Sequence, residues 1–273
     1  MARRVIASIS RKGGVGKTTS AVSLAAALSE TGRKVLLIDL DIQASASLSL
    51  GVSRENLAPS MADVLLRDQP IRGAIRSTAH PGLDLATASV DLASLEEGGS
   101  YRRSDETLLA RHLEELGDGY DIVFLDCPPS FTLLSRNAVA ACDGYIIPTV
   151  PHFLAVEGIR SLVQSVDRLR FRCQQGGQLL GILPTMVDYR TRLTHETLKE
   201  IRQQFGRDVF AIAIRMNVRV AEAPSQGKTI YQYDTTSTGA GAYRLAAEEL
   251  LLRLDELPKA GTPQRHSRYS AGG

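Results

Sequence analysis

Short apolar runs alternate with longer amphipathic stretches along most of this chain. The apolar runs have the length and composition of buried strands, and stretches with helical periodicity separate them. Continuous apolar strands separated by helices predict a parallel sheet that is covered on both faces. The predicted strands are Val5–Ser10, Val35–Asp39, Asp121–Asp126, Tyr145–Pro148, Leu179–Leu183 and Val209–Ile214, and Leu83–Thr87 is a candidate for one more.

The amphipathic stretches predict the helices. Thr18–Glu30 is rich in alanine and is followed by Gly32, a residue type that commonly ends a helix. The other predicted helices are Ser60–Leu66, which begins with a candidate capping box, Thr107–Leu116, Ala155–Phe171 and Ala240–Leu254. We therefore expect the α/β class, with a mostly parallel twisted sheet of about seven or eight strands flanked by helices.

Composition is that of a globular protein. Hydrophobic residues make up 43% and charged residues 23% of the 273 positions, which excludes wholesale disorder, collagen-like repetition and a disulfide scaffold. From Pro258 onward proline, glycine, serine and arginine dominate. We expect one domain over residues 1–255 and a disordered tail over residues 256–273.

The same sequence argues against a membrane-spanning or secreted protein, and its charge does not by itself point to a nucleic-acid-binding protein. No run approaches the roughly 18 consecutive apolar residues that a membrane span needs. The first residues lack the apolar core and cleavage site of a secretory signal. Three scattered cysteines fit a reducing cytoplasm. The net charge of +2 is too mild to predict nucleic-acid binding by itself.

A glycine-rich segment lies between the first predicted strand and the first predicted helix. It reads RKGGVGKTT over Arg11–Thr19. Backbone N–H groups of such a loop can surround phosphate oxygens; here they belong to Gly13, Gly14, Val15 and Gly16. Lys17 would reach the terminal phosphates, Thr18 would join the Mg²⁺ shell, and Thr19 could bond the α-phosphate. The alternative is a glycine-rich turn with solvated lysines.

The loop departs from the ordinary phosphate-binding pattern. Position 11 is arginine rather than glycine, and a second lysine, Lys12, precedes the glycines. The segment resembles the deviant Walker A motif of the ParA/MinD superfamily of P-loop ATPases. That resemblance implies that Lys12 reaches the phosphates bound by a partner protomer in an ATP-dependent dimer. A cation supplied in trans would stabilise charge on the transferred phosphoryl group, so Lys12 and Lys17 are both expected to act in catalysis.

Acidic side chains end two predicted strands. Asp39 and Asp41 lie two residues apart after Val35–Ile38, so strand alternation places them on one side. Asp126 ends the strand before Cys127-Pro-Pro-Ser130 and fits a Walker B acid that holds Mg²⁺ through water. The resemblance assigns Asp41 to the attacking water and Asp39 to the Mg²⁺ neighbourhood. The alternatives are acids that cap the next helix or simply precede a proline turn.

The resemblance continues into the second half of the chain. The segments around Thr185–Thr191 and Asn217–Lys228 are similar to the chromosomal, Soj-like branch of ParA proteins. This resemblance implies that Met186 and Asn217 lie near the adenine. It also implies that Arg190 and Arg219 bind double-stranded DNA without sequence preference. Arg192 and Arg215 belong to the same basic span and join the candidates, although a solvated basic surface is the alternative.

Two departures from the family pattern concern activity. The family has Asp-Pro-Gln-Gly-Asn after the catalytic acid, whereas this chain has Asp41-Ile42-Gln43-Ala44-Ser45. Losing proline and glycine changes the local backbone preference, so the resemblance predicts nucleotide binding here but not the hydrolysis rate or its stimulation by a partner. Near the second arginine the family has Pro-Arg before the asparagine, whereas Arg215-Met216 stands here.

The leading hypothesis is a ParA/Soj-type ATPase that partitions DNA. It would bind ATP and Mg²⁺, dimerise, coat the nucleoid in the cytoplasm, and release DNA when a ParB-like partner stimulates hydrolysis. The same cycle could position another cargo, such as a carboxysome or a chemoreceptor cluster. A small-molecule phosphoryl-transfer enzyme and a nucleotide-locked scaffold are further alternatives.

Other subclasses of the superfamily fit the sequence less well. Because the phosphate loop starts only ten residues into the sequence, we do not expect the helix-turn-helix domain and the sequence-specific operator binding of the larger plasmid type. The tail after Pro258 has no apolar stripe for membrane attachment, so no membrane partner is expected. The cysteines are not clustered for an iron–sulfur centre.

Overall fold

The structure is a computed structural model that describes residues 3–97 and 103–257. Within these residues seven strands form one sheet in the order β3-β4-β2-β5-β1-β6-β7. The strands are β1 Arg4–Ser8, β2 Val35–Asp39, β3 Ile75–Ser77, β4 Leu83–Ala86, β5 Ile122–Asp126, β6 Gly144–Thr149 and β7 Gln178–Pro184. All neighbouring strands are parallel except β3 and β4, which confirms the predicted α/β class.

Helices cover both faces of this sheet. They are α1 Lys17–Glu30, α2 Ser45–Ser49, α3 Met61–Arg67, α4 Ala93–Glu97, α5 Leu108–Glu114, α6 Leu133–Ala141, α7 Ala155–Cys173, α8 Arg192–Phe205, α9 Val218–Glu222, α10 Ile230–Tyr233 and α11 Thr238–Asp255. The predicted capping box is confirmed, because Ser60 and Asp63 bond each other's backbone N–H at the start of α3. No helix among the described residues has the length and apolar character needed to cross a membrane.

The core consists of two layers, one on each side of the sheet. Alternate residues of each central strand enter opposite layers: Leu36 and Ile38 face one, Val35 and Leu37 the other. Every residue of β2 and β5 is buried, as expected for parallel strands covered on both faces. The apolar stripe of α7 packs in the first layer, and α1 with α11 in the second. Burial on both faces holds the carboxyl ends of the central strands rigidly at one edge.

The prediction of a strand over Val209–Ile214 is wrong. The segment runs beside β7 and is held by single bonds, from the Phe210 N–H to the Ile182 carbonyl and from the Ile214 N–H to the Pro184 carbonyl. Four positions separate Phe210 from Ile214 but only two separate Ile182 from Pro184, so the segment bulges away. Pro184 has no N–H to donate. The Ala211 N–H instead bonds the Glu249 carboxylate.

Two backbone segments meet at a pair of glycines. Gly51 follows α2, and Gly227 follows the 3₁₀ turn Ala223–Gln226. A Cβ added to Gly227 would lie 2.7 Å from the Gly51 Cα, and one added to Gly51 would lie 3.2 Å from the Gly227 carbonyl oxygen. Both residues also have positive φ, 85° and 62°. Only glycine fits either position without moving the backbone. The predicted tail, apart from Glu256 and Leu257, falls outside the described residues.

Candidate nucleotide-binding site

The phosphate loop lies between β1 and α1, as the sequence predicts. Gly16 has φ 75° and directly precedes α1, and its carbonyl accepts the first intrahelical bond from the Ser20 N–H. Gly13 and Gly14 lie in the same exposed turn, and Val15 is buried beneath it. The loop therefore presents backbone N–H groups at the positive end of α1, the arrangement that binds phosphate.

Lys17 is the first residue of α1 and is 7% exposed. Its Nζ lies 3.9 Å from Oδ1 of Asp126 at the end of β5. Thr18 and Thr19 follow on the first turn of α1 and are half-buried. The fold thus brings the lysine, the two threonines and the Walker B acid of the sequence analysis to one edge of the sheet.

Asp126 is fully buried, and neither carboxylate oxygen accepts a hydrogen bond of regular geometry from the described residues, although the nearby Lys17 and Thr18 side chains favour its charged form. Burial raises the pKa of Asp126, and the positive charge of Lys17 opposes that rise. Uncompensated buried carboxylate oxygens are costly unless a cation pairs with them. Carboxylate and hydroxyl oxygens are also the ligands that Mg²⁺ prefers. Asp126 and Thr18 therefore fit a Mg²⁺ ion bound together with phosphate.

Asp39 stands beside Asp126 at the same register position of the neighbouring strand β2. Its Oδ2 accepts bonds from the backbone N–H and the hydroxyl of Ser47, both at 2.8 Å, and its Oδ1 accepts one from the Asp41 N–H at 3.1 Å. Burial raises the pKa of Asp39, and the charge of Asp126 raises it further. Asp39 is thus positioned by protein bonds, whereas Asp126 is left for an external cation.

Asp41 lies on the segment between β2 and α2 and is 6% exposed. Its Oδ1 accepts the Gln43 N–H at 3.0 Å, and its carbonyl accepts the Ala44 N–H at 2.7 Å. Ala44 stands where the resemblance implies glycine and adopts φ 54°. The backbone therefore keeps the left-handed turn that glycine favours, at the energetic cost that an alanine Cβ imposes.

Lys12 has a different environment from Lys17. It is exposed, and its Nζ lies 2.9 Å from Nε2 of His152, in the loop between β6 and α7. The preceding Arg11 donates to the Ser161 hydroxyl on α7 at 2.8 Å. The two side chains before the glycines thus extend away from the loop that Lys17 serves.

Met186 lies against the phosphate loop. A Cβ built on Gly16 would lie 3.4 Å from the Met186 Cε, and the neighbouring Thr185 hydroxyl donates to the Val15 carbonyl at 2.8 Å. Asn217 caps α9, where it accepts the Val220 N–H at 3.1 Å and donates to Thr238 at 3.0 Å. Its amide is already engaged locally, and contact of Met186 or Asn217 with adenine stays a prediction.

The four arginines expected to bind DNA are exposed, but three have acidic neighbours. Arg190 donates twice to Asp188 at 2.8 Å, and Arg192 donates to Glu196 at 2.6 Å. Arg219 donates to Glu222 at 3.1 Å. Arg215 has no carboxylate partner among the described residues and stacks over the Tyr189 ring at 4.8 Å. These acids lower the net positive charge of the surface. A count of arginines and lysines alone does not take them into account.

The chain is similar to known proteins over most of its length. An AAA domain family model matches residues 3–176. The chromosome-partitioning ATPase Soj of Thermus thermophilus is 42% identical over 93% of this chain and 97% of its own. The chromosome partitioning protein ParA of Caulobacter vibrioides is 38% identical over 92% and 94%.

A solved structure shares the fold of this chain. Cobyrinic acid a,c-diamide synthase from Mycobacterium smegmatis, crystallised with an ATP analogue and magnesium, has a TM-score of 0.81 and 33% identity. The similarity covers 94% of this chain and 98% of that one.

Proposed function

The chain belongs to the ParA/Soj family of chromosome-partitioning ATPases, and from this membership we propose that ATP converts it into a DNA-binding dimer. A ParB-like partner on the cargo would stimulate hydrolysis and release it from DNA. The observation that carries the proposal is the contrast between two lysines of one loop. Lys17 is buried beside Asp126, while Lys12 is exposed and directed elsewhere. Lys17 serves the nucleotide of its own protomer, and the exposed Lys12 is available to the nucleotide of a second protomer.

The chain's own residues divide the work of hydrolysis. As a member of this family the protein is an ATPase that works with ATP and Mg²⁺. The loop Gly13–Thr19 binds and orients the phosphates, and Thr18 and Asp126 hold Mg²⁺, which neutralises phosphate charge. Asp41 orients the attacking water, because its carboxylate projects from the segment just after β2. Asp39 positions Asp41 by accepting its backbone N–H, and Ser47 in turn holds Asp39.

Dimerisation is supported by what surrounds Lys12. Phe153 is 76% exposed and Leu154 57%, and both lie in the loop that contacts Lys12. On the segment that pairs with the loop of Met186, Met216 and Val218 are also exposed. Exposed large apolar side chains near a functional site are typical of an interface. A second copy bound across the phosphate loops would cover them.

DNA binding is assigned to the exposed arginines at positions 190, 192, 215 and 219. Contacts to phosphate need cations and no base-specific hydrogen bonds, so binding is independent of sequence and falls steeply with salt. Surface ion pairs contribute little, typically about 0–1 kcal/mol, so DNA phosphates can displace Asp188, Glu196 and Glu222. Such binding would place the ATP-bound dimer on the nucleoid.

The experiment is a DNA-binding titration with a labelled duplex of arbitrary sequence. Wild type, Lys12→Ala, Lys17→Ala and Asp41→Ala would be compared with ATP, ADP and no nucleotide at two salt concentrations. We expect wild type to bind only with ATP, neither lysine variant to bind, and Asp41→Ala to remain bound for longer. Equal DNA binding in all nucleotide states, or none in any, would contradict the proposal. ATP turnover that requires a small acceptor and ignores DNA would indicate a metabolic phosphoryl-transfer enzyme instead.

A further inference from the structure

One contact of the phosphate loop has no role in the scheme above. The Nζ of Lys12 lies 2.9 Å from Nε2 of His152, at hydrogen-bond distance, although the two residues are 140 positions apart. Lys12 is exposed, so its side chain has other conformations available. The contact therefore selects one conformation of a flexible side chain.

The hydrogen bonds of His152 define its tautomer. Its Nδ1 contacts the carbonyl oxygen of Phe153, which can only accept a bond. In the tautomer compatible with both contacts, Nδ1 carries the proton and Nε2 presents a lone pair. The Lys12 ammonium can only donate. The neutral imidazole thus accepts from Lys12 and donates to Phe153, and both nitrogens are satisfied.

The position of His152 is set by the start of α7. The His152 carbonyl accepts the N–H of Ala155, the first residue of α7, at 3.0 Å. Leu154, between them, adopts φ 71°, which turns the chain sharply into the helix. The backbone of His152 is therefore fixed at the start of α7. Through His152, Lys12 is bonded to this part of its own protomer.

We propose that His152 is a positioning residue that holds Lys12 within its own protomer until ATP-dependent dimerisation displaces it. This inference rests on the proposed role of Lys12 in trans. In this inference Lys12 leaves His152 when its side chain turns to the phosphates of the partner protomer. The bond therefore opposes dimerisation, and each dimer must break it twice.

The test measures dimerisation with a non-hydrolysable ATP analogue and Mg²⁺ by sedimentation. His152→Ala removes the acceptor and should strengthen the dimer about threefold for each protomer, hence about tenfold in the dissociation constant. His152→Gln keeps an acceptor at a similar reach and should restore the wild-type value. Ser161→Ala removes the neighbouring contact of Arg11 with α7 and should change nothing.

A second pair of variants shows whether His152 acts through Lys12. In a Lys12→Ala background, adding His152→Ala should have no further effect on dimerisation. Either a persisting effect in that background, or a dimer weakened or unchanged by His152→Ala alone, overturns the inference. If Lys12→Ala itself dimerises like wild type, the proposed function fails in its trans-lysine step. The two failures are thus distinguishable, and thermal unfolding of each variant excludes misfolding as the cause.

Discussion

Asp39 and Asp126 occupy the same register position on neighbouring parallel strands, and both are fully buried. Two carboxylates this close cannot both ionise cheaply without a cation between or beside them. Lys17 supplies one charge at 3.9 Å from Asp126. In the proposed scheme, Mg²⁺ that binds with the nucleotide supplies the remaining positive charge.

Asp126→Asn should therefore weaken ATP binding mainly when Mg²⁺ is present. The expected loss is on the order of 10–100-fold in affinity, because a ligand of the metal is removed while the phosphate loop is kept. Calorimetric titration with and without Mg²⁺ measures it. Asp84→Asn is the control, because Asp84 is a half-buried acid on β4 that accepts a hydrogen bond from the Tyr120 hydroxyl. Equal losses with and without Mg²⁺ would contradict the metal assignment.

The stability of the nucleotide-free protein should fall as pH rises from about 4 to about 7. The pKa of Asp39 is raised from 3.8 to about 7 and that of Asp126 to about 6, so the folded state holds protons that the unfolded state has lost. Ionisation then costs folding free energy across this window, on the order of 2–4 kcal/mol for one such group. Denaturant unfolding should show a smaller fall in Asp39→Asn. Wild-type stability that rises over this window, or a fall in Asp39→Asn as large as that of wild type, would refute the prediction.

Lys17→Ala should abolish detectable ATP binding, because the phosphates lose the cation at the start of α1. It also leaves Asp126 buried without its nearest positive charge, so the apo protein should lose stability by a few kcal/mol. Lys34→Ala, an exposed lysine beside β2, is the matched control and should leave both properties unchanged. Nucleotide fluorescence and thermal unfolding measure the two effects separately.

Ala44→Gly should stabilise the protein. Ala44 adopts φ 54°, a conformation that costs alanine about 1–2 kcal/mol, whereas glycine pays only its greater unfolded-state entropy. A net gain of about 0.5–1 kcal/mol in the free energy of unfolding is expected. Ala242→Gly within α11 should lose about 1 kcal/mol and shows that the gain is specific to the left-handed site. Destabilisation by both changes would be the contrary result.

Asp188→Asn should strengthen DNA binding. The carboxylate occupies two donors of Arg190, whose guanidinium holds the pKa of Asp188 down at about 2, so Asp188 stays charged at neutral pH. Its removal frees Arg190 and deletes a negative charge, and a gain of about threefold is expected at low salt. Repeating the titration as salt rises should shrink the gain. An unchanged affinity at low salt would remove Arg190 from the DNA contacts.

The sequence was informative where local pattern decides structure. The apolar runs of β2 and β5 identified buried strands, and strand-end position brought Asp39 and Asp126 together. The strand prediction for Val209–Ile214 failed because its apolar residues pack on the core, but its backbone forms no regular hydrogen-bond ladder beside Pro184. β3 was missed because Ile75–Ser77 is a three-residue edge strand with little apolar signal.

Contacts between distant residues lay beyond sequence reasoning. Ser47 holds Asp39, and His152 holds Lys12, yet neither has a local signal of that role. The ion pairs of Arg190 and Arg192 involve acids within four positions, and spacing could have flagged them.

The paired glycines Gly51 and Gly227 have a consequence for the engineering of this fold. They join the segment after Asp39 and Asp41 to the segment that follows α9 through direct backbone contact. A library that randomises either position should return glycine alone, and a loop transplanted from a relative will fit only if its counterpart is transplanted too. When related chains are recombined, residues 45–52 and 217–228 should therefore be taken from the same parent, although they are far apart in the sequence.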